Sequence, residues 1–350
     1  MNILENDTYN NDLKYISSLD VLWENLKNKT IFISGATGLI GSCFVDAIMY
    51  CNEIYNLNCK IYALGRSETK VKERFNKWLK TGLLKFIKYD INEGIVNTEC
   101  DKVDFVLHLA SNTHPVAYST DPIGTITTNI IGTRNMLEFA KEHYCERFIF
   151  TSSCEIYGEN RGDVEKIEED YCGYINCNTL RAGYTESKRC GEALCQAYIK
   201  QKEMDIVIAR LTRTFGPTML MTDTKALSQF IKNGINNENI ILKSKGEQFF
   251  SYTYVIDAVA GIIILMLCGE NGEAYNISGE GIKLKELAKI IADISNTKVA
   301  FELPSEIEKE GYSKVTNSIL SSEKIEKLGW KVNYKIEIGI KNTIKILKSK

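Results

Sequence analysis

The sequence predicts an α/β protein: a doubly wound parallel sheet with a smaller mixed α/β domain at the C-terminal end. Three observations carry that expectation. Short apolar, β-branched runs alternate with amphipathic helical segments from Thr30 to Leu211. Three glycines, Gly35, Gly38 and Gly41, separate the first such run from the first helix. The alternation then breaks after Thr214–Pro217. Strands separated by helices need crossover connections, and right-handed crossovers stack the strands in parallel with helices on both faces.

Residues 11–28 carry Leu13, Ile16, Leu19, Leu22, Trp23 and Leu26 at helical spacing, so residues 1–28 are expected to form a helical extension. A dinucleotide-binding domain over residues 29–215 follows. Its strands are predicted at Ile31–Ile33, Lys60–Leu64, Leu84–Asp90, Asp104–Ala110, "RFIFTSS" and "DIVIARL". Helices are expected after the glycines, around Thr69–Leu79, through "TNIIGTRNMLEFAKE", and around "YTESK". Residues 216–350 should form the mainly substrate-binding domain, whose segments can cross back to the first. "KSKGEQFF" and "CGENGEAYNISGEG" are expected there as loops.

Composition narrows the function. The 350 residues are 44% hydrophobic and 25% charged, ordinary for a globular protein. A net charge of −2 gives no electrostatic case for nucleic acid or an anionic membrane surface. The longest apolar run, Ala258–Cys268, is too short to span a bilayer and reads as a buried helix. The polar opening segment has no signal-peptide pattern, and eleven cysteines without a C-x-x-C fit reduced thiols; a cytoplasmic location is expected. With three histidines in the chain, no metal site is expected.

Gly35, Gly38 and Gly41 lie where a strand turns into a helix. The first permits the tight turn, the second close approach to a pyrophosphate, and the third close packing of helix on strand. The helix start then offers free N–H groups to phosphates. This is the Rossmann-type context that turns a glycine triplet into a dinucleotide prediction. An NAD site usually ends its second strand with a carboxylate, which holds the ribose hydroxyls. Here that place is Gly65, followed by Arg66 and Ser67, a guanidinium and a hydroxyl suited to a 2′-phosphate. NADP(H) is favoured over NAD(H), which stays open because ribose contacts can come from elsewhere.

Tyr184 and Lys188 share a helix face at i and i+4. An ammonium beside a phenol is expected to lower its pKa, and such a phenol can exchange a proton with a carbinol while hydride moves to or from a nicotinamide. Ser153, at the end of a strand, is the candidate hydroxyl partner.

On these motifs the sequence resembles the extended short-chain dehydrogenase/reductase family, the nucleotide-sugar epimerases, dehydratases and decarboxylases. The matching stretches are "GATGLIG", "YDI", "HLAS", "TNIIGT", "TSSCEIYG", "YTESK" and "FGP", from about Thr30 to Pro217, with "YVIDAVAG" and "LGW" extending the likeness. Local likeness is greatest to the UDP-glucuronate decarboxylase and dTDP-glucose 4,6-dehydratase branch. The resemblance implies Ser153, Tyr184 and Lys188 as catalytic residues, with Glu155 matching a catalytic glutamate. It implies cofactor contacts from Thr37, Leu39, Ile40, Asp90, Ile91, Leu109, Ala110, Ser111 and Asn129, with Lys188 also on the ribose. Ser152, His114, Arg181 and Arg213 would face the substrate, Arg181 near the nucleotide phosphates. A homodimer through the Asn129 and Tyr184 helices is implied as well.

The chain also departs from that branch. Cys154 stands where the dehydratases carry an aspartic acid, which weakens a 4,6-dehydratase reading. Arg213 replaces an Asn, and Phe250 stands where an Arg is usual. Arg213 is expected either to take over a phosphate contact or to pair with an internal carboxylate. Glu155 can be a second acid/base or a hydrogen-bond acceptor. The favoured function is an NADPH-using reductase of a nucleotide-linked keto sugar, supplying surface-polysaccharide precursors. The alternatives are an epimerase, decarboxylase or dehydratase that recycles NAD, and a non-catalytic dinucleotide-binding protein.

Overall fold

The structure is a computed structural model and describes residues 3–94, 100, 102–113, 115–302, 304 and 315–349. Helix α1 (Asp7–Ser17) opens the fold, with the Asn6 side chain accepting from the Thr8 and Tyr9 N–H groups. The expected helix over residues 11–28 is thus shorter and starts earlier. Past Ser17 the chain continues to a single 3₁₀ turn, Trp23–Leu26, which buries the last of the apolar residues.

The alternation then runs as predicted. β1 (Thr30–Ser34) leads to α2 (Leu39–Tyr55), β2 (Lys60–Gly65) to α3 (Glu68–Leu79), and β3 (Leu84–Lys88) to β4 (Phe105–His108). A short helix α4 (Pro115–Thr120) precedes α5 (Pro122–Glu142), whose start is set by proline at its first position and Asp121 accepting from Gly124 N–H at 3.0 Å. β5 (Arg147–Ser153), α6 (Ala182–Lys202) and β6 (Ile206–Leu211) complete the first half. Beyond them come β7 (Arg213–Phe215), α7 (Ala226–Ile235), β8 (Ile240–Leu242), β9 (Phe249–Tyr254), α8 (Val255–Cys268), β10 (Ala274–Ile277), β11 (Gly281–Lys283) and α9 (Leu284–Ser295). β12 (Val299–Phe301), β13 (Asn317–Ser318) and a C-terminal helix (Ile336–Lys348) follow.

Among the described residues the main sheet has seven strands in the order β3-β2-β1-β4-β5-β6-β10, all parallel. The two directions of winding part between β1 and β4. There the carboxyl ends of the strands open a crevice, the usual ligand position of such sheets. β10 lies within "CGENGEAYNISGEG", expected as a loop. It instead leaves the C-terminal half to pair with β6 in the main sheet. β9 likewise begins inside the other expected loop, "KSKGEQFF", and sits in a small sheet with β7, β11 and β13. The apolar helix α8 is buried against β5 and β6, as its composition required. No helix among the described residues is long and apolar enough to cross a membrane.

α1 packs on α2, α8 and the C-terminal helix, so the N-terminal extension joins both halves. Tyr9, Leu13 and Ile16 are fully buried there. Polar groups go in with them: Tyr9 donates to Asp46 at 2.7 Å, Trp78 Nε1 to Asp46 at 2.8 Å, and Tyr254 to Asp12 at 2.6 Å. Arg74 completes the pairing of Asp46.

Candidate active site

The crevice is a continuous cleft of about 1160 Å³. The glycine turn lines one end. Gly35 has φ +74°, and a Cβ on it would stand 2.8 Å from Ala110 N and 2.9 Å from the Leu109 carbonyl carbon. A Cβ on Gly41 would meet Gly35 O at 2.4 Å. At Gly35 and Gly41 the turn therefore leaves no room for a side chain. Gly38 is the N-cap of α2 and brings no side-chain cap, so the first N–H groups of a 17-residue helix face the cleft without a competing oxygen. Thr37, Leu39, Ile40, Leu109, Ala110 and Ser111 line the same end. This cradle fits the diphosphate of a dinucleotide.

Asp90 and Ile91, just past β3, line the cleft beside Gly65 and Arg66. Arg66 lies 4.0 Å from Asp90 and its side chain is 78% exposed. Lys70, unremarked in the sequence, joins this wall. Ser67 departs from expectation. Its hydroxyl caps α3 by accepting from Lys70 N–H at 3.3 Å and does not line the cleft, because it occupies the N-cap position. Asn129 is also a correction as a direct contact: it is buried behind the wall, accepting from Ser111 Oγ at 2.7 Å and donating to Ser187 Oγ at 2.9 Å. It holds Ser111 in place. His114 lies outside the described residues.

At the other end, Ser153 closes β5 and Tyr184 and Lys188 rise from α6. The Ser153 hydroxyl accepts from Glu155 N–H at 3.2 Å. Burial pushes the Tyr184 phenol pKa up; the nearby Ser153 hydroxyl and Arg181 pull it down, and Glu155 and Cys154 push it up further. The net shift is upward. The expected acidification by Lys188 is thus corrected, because desolvation outweighs the favourable contacts and Lys188 turns elsewhere. Its amine donates to Thr151 O at 2.8 Å and lies over the Phe150 ring, while burial brings its pKa down to about 8. Tyr184 is a protonated phenol at neutral pH, a hydrogen-bond donor ready to act as an acid.

Tyr118, on α4, packs its ring 4.8 Å from that of Tyr184, and Arg181 lies over Tyr118 at 4.7 Å. Arg181 donates to Glu155 at 2.8 Å. Arg213 approaches the other oxygen of Glu155 at 3.4 Å and Cys154 Sγ at 3.7 Å, with its guanidinium 3.5 Å above the centre of the Phe250 ring. Of the two roles open to Arg213, the structure displays the internal pairing. Of the three positions that set this chain apart, Arg213 touches both of the others, Cys154 and Phe250. Ser152 lines the cleft, and its hydroxyl is buried without a partner among the described residues. Thr212, Lys225, Gln248 and Tyr252 also line this end and carried no signal in the sequence, being placed by loops and β9 from the C-terminal half.

A switch-point crevice with a glycine cradle at one end and a serine, a tyrosine and a lysine at the other is the frame of a dinucleotide-dependent enzyme. Residues 31–278 match the model of the NAD dependent epimerase/dehydratase family, and the chain belongs to it. Among curated relatives it is 32% identical over 314 residues to UDP-glucuronic acid decarboxylase 3 of Arabidopsis thaliana, covering 89% of this chain and 87% of that one. It is 29% identical over 332 residues to UDP-glucuronic acid decarboxylase 1 of Xenopus tropicalis, covering 95% and 73%. In fold it is similar to a dTDP-glucose 4,6-dehydratase from Streptomyces venezuelae solved with NAD bound (TM-score 0.78, 20% identity, 91% and 97% coverage). It is also similar to a UDP-glucuronic acid 4-epimerase from Bacillus cereus in complex with UDP-glucuronic acid and NAD (TM-score 0.76, 23% identity, 91% and 99% coverage).

Proposed function

We propose that this enzyme acts on a nucleotide-activated sugar at a hydroxyl or ketone carbon, with Ser153 and Tyr184 as the groups that meet the sugar oxygen. One observation carries the reading: Ser153, Tyr184 and Lys188 share a single cleft with the glycine cradle. A dinucleotide held by Gly35, Thr37, Gly38, Ala110, Ser111 and Lys188 supplies or accepts hydride when bound. Ser153 orients the sugar oxygen. Tyr184, a neutral phenol, gives a proton to that oxygen as charge develops on it during ketone reduction, and takes the proton back when the alcohol is oxidised. Lys188, mostly an ammonium below pH 8, supplies positive charge behind the site. Glu155 is engaged by two guanidiniums, Arg181 at 2.8 Å and Arg213 at 3.4 Å.

The missing carboxylate at Gly65, together with Arg66 and Lys70 on the wall and the start of α3 beside them, supports NADP(H) over NAD(H). A redox-neutral reaction with recycled NAD is the second reading, favoured by the 32% identity to a UDP-glucuronic acid decarboxylase. A homodimer through α5 and α6 fits exposed Ile123 and Ile131 on α5.

The test is turnover of a panel of UDP-, dTDP-, GDP- and CDP-sugars, including UDP-glucuronate, with each cofactor followed by absorbance and products by mass spectrometry. Stoichiometric NADPH oxidation supports net reduction. Product without net redox supports the second reading. No conversion of any sugar rejects both.

A further inference from the structure

Past Ser153 the cleft wall ends in a charge cluster that does not balance. Arg181 and Arg213 share the one Glu155 carboxylate, leaving a net positive charge among side chains only 19%, 23% and 18% exposed. Their other neighbours do not neutralise it. Cys154 is a thiol that burial keeps protonated, and Phe250 and Tyr118 offer ring faces. Arg181 Nε and Nη1 and Ser152 Oγ are buried with no hydrogen-bond partner among the described residues. Buried donors of this kind are rare unless something else satisfies them. The longer of the two arginine contacts to Glu155, at 3.4 Å, is loose enough to be exchanged.

We infer that Glu155 stands in for an oxyanion of the substrate: an incoming anionic group takes the Arg181 and Arg213 donors, and Glu155 competes with it for them. This rests on the nucleotide-sugar reading and deepens it, since it makes Glu155 a positioning counter-ion. A planar guanidinium matches phosphate and carboxylate oxygens equally well. The oxyanion can therefore come from the nucleotide's diphosphate or from a carboxylate on the sugar. In both cases removing the charge of Glu155 strengthens binding.

Calorimetric titration of the full chain with UDP, UDP-glucose, UDP-glucuronate, dTDP-glucose and GDP-mannose tests this in wild type, Glu155→Gln and Arg213→Gln. Glu155→Gln is expected to tighten anionic ligands roughly tenfold, as removal of a like charge from a half-buried site should. Arg213→Gln is expected to weaken them by a similar factor. An equal gain for every nucleotide assigns the diphosphate; a gain confined to UDP-glucuronate assigns the sugar carboxylate. A Glu155→Gln protein that melts like wild type but binds no more tightly overturns the inference, as does a fall in kcat alone, the signature of an acid/base. If Glu155→Gln does not fold, unchanged affinities in Arg213→Gln overturn it. Failure of every ligand to bind wild type is a different result: it removes the nucleotide-sugar reading, and this inference with it.

Discussion

Gly35 and Gly38 are three residues apart in one turn, yet alanine should affect them in opposite ways. At Gly35 the backbone has φ +74°, a region that costs a residue with a Cβ about 1–2 kcal/mol. The new Cβ would also press on Ala110 N at 2.8 Å and the Leu109 carbonyl carbon at 2.9 Å, main-chain atoms fixed in place by β4. Overpacking of this kind adds roughly 1–3 kcal/mol. The sum is about 2–5 kcal/mol. An unfolding entropy of ~2.1 cal/mol/K per residue over 350 residues converts this to a fall in Tm of about 3–7 °C. Gly38 has φ −74°, which any residue adopts, and within 4 Å its Cβ would meet only Gly35 O, at 3.3 Å. Gly38→Ala should keep stability within about 0.5 kcal/mol while placing a methyl in the cleft, weakening the cofactor on the order of tenfold. Thermal unfolding by circular dichroism and cofactor titration by fluorescence read both variants. A Gly35→Ala protein that melts with wild type would refute the steric reasoning. A Gly38→Ala protein that binds cofactor normally would refute the placement of the diphosphate.

Two further variants probe buried charge. Burial raises the Asp257 pKa to about 7 against the backbone bonds from Tyr334 and Asn333, which lower it. The folded state therefore binds the proton more tightly than the unfolded one. The associated stability is full below about pH 4 and is lost as pH rises to about 7, a change of about 4 kcal/mol. Asp257→Asn should flatten the pH dependence of urea unfolding between about pH 4 and 7; an unchanged slope contradicts the assignment. Lys188 is 4% exposed with its pKa lowered to about 8, so its ammonium weakens the fold below that pH, and the cost falls as pH rises towards the ordinary lysine value. Lys188→Met should raise unfolding stability at pH 7 by up to about 3 kcal/mol while abolishing turnover. A destabilised Lys188→Met protein would show that the amine supports the fold through Thr151.

Much of this was legible in the sequence because it is local. Short apolar, β-branched runs and glycine spacing mark β1 to β6 and the cradle. β10 escaped because "AYNI" is too short to announce a strand and gains its place only by pairing with β6 across α8. Ser67 was readable as a helix cap, since it directly precedes α3, but the cofactor expectation overrode that signal. Spacing places Tyr184 and Lys188 on one face, yet it does not say where a long amine ends; the Thr151 carbonyl decides that. The meeting of Arg213 with Phe250, 37 positions apart, depends on the parallel pairing of β7 with β9, for which neither strand carries a local mark.

The most direct measurement compares Tyr184→Phe with wild type, reading turnover of the accepted nucleotide sugar and the cofactor Kd on the same preparations. Turnover is predicted to fall by roughly 10²–10⁴ while Kd changes little, since only the phenolic proton has been removed. Turnover near the wild-type rate, or cofactor binding lost in step with it, contradicts the assignment of Tyr184 to the reacting oxygen.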